Sequence, residues 1–85
     1  MNKMMSFEEA VAYQKRTGLP VWEAEYDGEV WDAGQMCEVG DAIGYYATEV
    51  EAKEACADYE RFDFTGPNKH LRTFVERRDD LSDAF

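Results

Sequence analysis

From Thr17 to Ala52 the sequence contains no lysine and no arginine, although nine carboxylates lie in that stretch: Glu23, Glu25, Asp27, Glu29, Asp32, Glu38, Asp41, Glu49 and Glu51. The formal charge of the 85 residues is −10, and this segment alone carries −9, because the rest of the chain sets ten acids against nine bases. A field of one sign repels phosphates and attracts cationic partners. Direct nucleic-acid binding is therefore not expected. Trp22, Trp31, Tyr26 and Tyr45 read as core residues, because base-stacking platforms sit in positive grooves.

Other absences narrow the chemistry. No apolar run approaches the roughly 20 residues needed to span a bilayer, and the opening MNKMMSFEEA lacks the apolar stretch of a signal peptide, so a cytoplasmic protein without membrane contact is expected. Cys37 and Cys56 form no C-x-x-C pair and have no histidine at ligand spacing, which points to reduced thiols rather than a zinc site. His70 is the single histidine; a Cys56–His70 nucleophile pair is outweighed by the place of Cys56 on an apolar helical stripe. The acids do not follow calcium-loop spacing, and there is no G-x-S-x-G, phosphate-binding glycine loop or dinucleotide fingerprint. No metal, cofactor or catalytic residue is assigned, and enzymatic activity is not expected.

What is present is enough to fold. Hydrophobic residues make up 45% of the chain and aromatics 14%, which argues against disorder, and 85 residues suit a single domain spanning 1–85. Ser6 and Glu9 form a capping box, Phe7, Ala10 and Val11 share a stripe, and Gly18 and Pro20 stop the helix, predicting a first helix over about residues 7–17. Asp27-Gly28 lies between alternating residues and predicts a hairpin turn. That register sets Glu23 opposite Asp32, gathers Glu23, Glu25 and Asp32 on one solvent face, and puts both indoles on the other. GQMCEVG reads as an irregular connection and DAIGYYA as a third strand. Thr48 and Glu51 open a second helix with Ala52, Ala55, Cys56 and Tyr59 on its apolar stripe. Gly66-Pro67 breaks the chain with Asn68 as a cap. Residues 69–79 then fit a short helix through Leu71, Phe74, Val75 and Arg78, or a strand through Leu71, Thr73 and Val75, the helix being favoured. The terminal DDLSDAF is expected to fray unless Phe85 docks.

The fold class expected is α+β: a small single domain with a helix, a three-stranded antiparallel meander, a helix, and a short C-terminal helix or strand. This order resembles that of double-stranded RNA-binding domains, and EAKEACADYE is similar to the start of their last helix. The positions where that family carries basic residues for RNA phosphates are Glu49, Val50 and Glu51 here, so the resemblance implies a fold and not RNA binding.

Function is read from the acids. Glu23, Glu25, Asp27, Glu29 and Asp32 form the expected partner-binding face of a non-enzymatic protein-binding module that docks on a basic surface of another protein. In its sharp form it is a nucleic-acid mimic of the kind phages and mobile elements use to inhibit defence nucleases. The alternatives are a small enzyme or ligand-binding domain, with a pocket between sheet and helices near Tyr46, His70 or Cys37, and an acidic subunit of a larger complex.

Overall fold

The computed structural model describes residues 3–63 and 69–83. Helix α1 (Phe7–Thr17) is followed by strands β1 (Val21–Asp32) and β2 (Gln35–Tyr46), helix α2 (Glu49–Asp63), strand β3 (Lys69–Arg78) and a 3-10 turn (Leu81–Asp83). Two helices and a three-stranded antiparallel sheet make the expected α+β class. The distribution of strands along the chain differs: the sheet order is β2-β1-β3, and the third strand comes after α2. Among the described residues, no helix is long and apolar enough to cross a membrane.

α1 begins and ends where its local chemistry dictates. The Ser6 hydroxyl accepts from the Glu9 amide and the Glu9 carboxylate accepts from the Ser6 amide, while Gly18 closes the helix at φ 70. α2 starts similarly, with the Thr48 hydroxyl accepting from the Glu51 amide at 3.2 Å.

The hairpin is where the expectation fails. β1 runs unbroken through Asp27 and Gly28, and the chain reverses at Ala33-Gly34, whose φ values of 50 and 78 meet the two-positive-φ demand of a type I′ turn. Both dipeptides suit a tight turn locally. The later turn wins by pairing nearly the whole of β1 with β2, from Trp22 opposite Tyr46 to Asp32 opposite Gln35, at the cost of a left-handed conformation at Ala33. Gly28 has a different task. At φ 146 it lets β1 lie close to β3, and a Cβ there would overlap the carbonyl oxygen of His70.

Three further assignments change with the turn. GQMCEVG and DAIGYY become one strand, β2, with a bulge that leaves Ile43 between the partners of Ala24 and Glu25. Residues 69–78 form a strand and not the favoured helix, because β1 offers them a ladder from Val30 opposite Lys69 to Val21 opposite Arg78. Trp22 and Trp31, nine residues apart on a continuous strand, fall on opposite faces, so they do not share the core. Trp22 is half-buried and Trp31 is 42% exposed.

The sheet is covered on both sides. On one face Ala24 and Tyr46 pack with Ala52, Ala55 and Cys56 of α2. On the other, Val21 and Tyr45 pack with Ala10 and Val11 of α1 and with Leu81, which is 1% exposed. The C-terminal segment thus docks through Leu81 instead of fraying, and the Gln14 side chain ties it down by donating to the Arg78 carbonyl at 2.9 Å and accepting from the Ser82 amide at 2.9 Å. Gly66-Pro67, Asn68 and Phe85 lie outside the described residues.

Candidate functional site

The alternation of β1 sends Glu23, Glu25, Asp27 and Glu29 to one face, the face that α1 covers at the Val21 end, and Asp32 to the other. The expected solvent cluster of Glu23, Glu25 and Asp32 does not form, and Glu23 faces Tyr45 and Glu76 in the register rather than Asp32.

Glu23 is 5% exposed. It accepts from the Tyr45 hydroxyl at 3.2 Å and from the Arg78 guanidinium at 2.6 Å, so two donors compensate its burial. Burial and then the charge of Glu23 push the Tyr45 phenol up to about 12. Arg78 is also held by Asp80 at 3.1 Å, which with Glu23 raises its affinity for its proton further.

Glu25 stands next to this pair. Its Oε2 is sealed from solvent and has no hydrogen-bonding partner. Glu23, Glu25 and Glu76 each offer an oxygen within 4.8 Å of one another, and of these three the guanidinium of Arg78 pairs with Glu23. Burial first, then hydrogen bonding with Glu76 and the charge of Glu23, push the Glu25 carboxyl up to about 7.

Asp27 accepts two bonds from Arg72, at 2.6 and 3.2 Å, which hold its carboxyl below the usual range. Glu29 faces Glu38 of β2 on one side and His70 of β3 on the other. Neither Glu29 nor Glu38 meets a cation among the described residues. One step further out, Trp31 faces Met36, and these two side chains are 42% and 41% exposed. Asp32 is exposed at the end of the strand.

The five expected residues thus divide into a root of the buried Glu23 and the half-buried Glu25, an ion-paired middle, Asp27, and an outer part, Glu29 and Asp32, without an ion pair among the described residues. Sequence reasoning missed Glu38, which joins Glu29, missed Arg72, which pairs with Asp27, and missed Glu76 and Arg78, which crowd and neutralise the root. The alternation in LRTFVERR held the signal, since as a strand it sets Arg72, Glu76 and Arg78 on the face opposite Leu71, Thr73 and Val75.

A groove of about 450 Å³ opens between α2 and β3, lined by Trp22, Cys56, Thr73 and Val75 with the exposed Lys53–Glu49 pair and Arg77. Tyr46, His70 and Cys37 do not line it. Cys56 donates to the Phe74 carbonyl at 3.6 Å and burial pushes its thiol up, away from nucleophilic character. His70 is aligned with Glu29 on the opposite face of the sheet, so the strands separate it from Cys56. Both cysteines are free thiols. No protein-family model, curated protein or solved structure matches the chain.

Proposed function

We propose that this protein is a non-enzymatic binding module whose outer hairpin, residues 29–38, docks on a basic surface of another protein that otherwise holds nucleic acid. The observation that carries this reading is the direct cross-strand opposition of Glu29 and Glu38 without a cationic partner among the described residues. Like charges directly opposite each other destabilise a free sheet, and a cationic partner relieves the repulsion. Asp32 and Asp41 add negative charge on the opposite face of the sheet, while Trp31 and Met36 add exposed apolar area beside Glu29 and Glu38. An aromatic anchor flanked by charge suits a protein interface, where Trp and Arg dominate the binding energy.

The revised surface is smaller than the sequence suggested and lies further from the helices. Glu23 and Asp27 are engaged within the sheet and the Oε2 of Glu25 is sealed from solvent, which leaves Glu29 and Glu38 on one face, and Asp32 on the other, as the residues offered to a partner. Inhibition of a nucleic-acid-binding protein of phage or mobile-element defence type follows as the sharp form of the proposal, with a cytoplasmic setting.

The test is capture from lysate at low and high salt with the wild-type chain, a Glu29→Lys/Asp32→Lys/Glu38→Lys variant and a Glu54→Lys/Asp58→Lys control on α2. The expected result is a salt-sensitive partner, displaced by added DNA or RNA and lost by the hairpin variant alone. Retention of the same partner by the hairpin variant, at unchanged salt dependence, overturns the reading.

A further inference from the structure

We propose that Glu25 and Glu76 share a single proton, and that this proton helps hold β3 to β1 until a rise in pH removes it. The donors around the cluster are already assigned. Glu23 takes the Tyr45 hydroxyl and the Arg78 guanidinium, and Asp80 takes a further nitrogen of the same guanidinium. Nothing comparable reaches Glu25, whose Oε2 is sealed from water without a partner. A buried ionised oxygen in that position would lack compensation for its desolvation. A proton supplies it, because a protonated carboxyl is a donor and an oxygen of Glu76 lies within 4.8 Å of the Glu25 carboxyl.

The surroundings allow no other source of neutralisation among the described residues. On β1 the neighbour on the same face is Glu23, a like charge. From β2 come Ala42, directly opposite Glu25, and the Tyr45 hydroxyl, already given to Glu23. From β3 come Phe74, opposite Glu25, with Glu76 and Arg78 beside it, and Asp80 beyond. α1 brings Ala10, Val11 and the phenol of Tyr13 to the same core. Two adjacent carboxylates, with the nearby arginine already engaged by Glu23 and Asp80, hold a proton above the usual range, as coupled acid pairs do.

The direction of the pH effect follows. The folded chain binds this proton more tightly than the unfolded chain, so the stabilisation is complete below the ordinary carboxylate value of 4.5 and is lost as pH rises through about 7, after which it levels off. At neutral pH the protein therefore carries less negative charge than its formal −10.

The test compares urea midpoints of wild type and Glu25→Gln from about pH 5 to about pH 8.5. The Gln amide donates to Glu76 at every pH, so the wild-type midpoint should fall across the range, the variant's should change much less, and the variant should be the more stable at the alkaline end. Parallel profiles overturn the proposal. Carbon-13 titration of the wild-type glutamate carboxyls is independent of whether the variant folds: a coupled pair should titrate above about pH 6, and titration of every glutamate below about pH 5.5 overturns it. Millimolar magnesium or calcium should leave the wild-type pH profile unchanged. If either cation flattens it, a metal and not a proton neutralises the cluster, and the proposal falls.

Discussion

A Cβ on Gly28 would overlap the backbone of His70, the residue that follows Lys69 in the strand paired with β1. The glycine therefore permits the close approach of β1 and β3 in the middle of the sheet. Gly28→Ala combines this overlap with a φ of 146 that an L side chain rarely adopts, so it should lower stability by roughly 2–3 kcal/mol. Gly34→Ala, at φ 78 with open space around it, should cost only about 1 kcal/mol. Equal losses for the two variants in urea unfolding would return the turn to Asp27-Gly28.

Fluorescence separates the two tryptophans. Trp31 is 42% exposed near the hairpin turn, whereas Trp22 is half-buried with the Arg77 guanidinium 5.9 Å from its ring. Acrylamide, which is neutral and unaffected by the acidic surface, should quench two populations unequally. Trp31→Phe should remove the accessible one. Uniform weak quenching of both indoles would instead support the shared buried face that the local turn signal suggests.

The parts of this fold that were legible in the sequence are those decided locally. Ser6, Glu9 and Gly18 fix both ends of α1 through bonds spanning a few residues, and the structure has that helix at Phe7–Thr17. The hairpin offered two acceptable turn dipeptides, and the choice between them rests on β2 pairing, which no short window contains. β3 was ambiguous for the same reason. Phe74, Val75 and Arg78 satisfy helical spacing, but the partner that makes a strand preferable lies on β1 and is remote in sequence. The candidate site inherited this ambiguity. The base-free run was visible, but which of its acids stay free depends on Arg72 and Arg78 crossing from β3 to Asp27 and Glu23.

Leu81 ties the end of the described chain to the α1 side of the core. At 1% exposure, packed with Ala10, Val11, Val21 and Tyr45, it should cost about 2–4 kcal/mol on replacement by alanine. Gln14→Ala should also destabilise, because it leaves the Arg78 carbonyl and the Ser82 amide without their partner. Hydrogen exchange at residues 78–83 checks both: faster exchange confined to this segment and α1 is expected, and unchanged protection would mean that the docking contributes nothing.

The last prediction concerns the opposition of Glu29 and Glu38. If these acids serve only solubility, exchanging one for lysine should have no consequence beyond net charge. If they are held for a partner, Glu38→Lys should do two things in opposite directions. It replaces a repulsive cross-strand pair with an attractive one and should stabilise the free protein by roughly 0.2–1 kcal/mol. It also puts a cation in the middle of the proposed docking surface, and should weaken partner capture mainly through a slower association rate and a shallower salt dependence. Charge-conserving exchange provides the control: Glu38→Asp should preserve capture, and Glu54→Lys on α2 should change net charge equally while leaving binding intact. A Glu38→Lys variant that gains stability and keeps full, equally salt-sensitive binding would show that the repulsion is not retained for docking, and the outer hairpin would then be a solvated face alone.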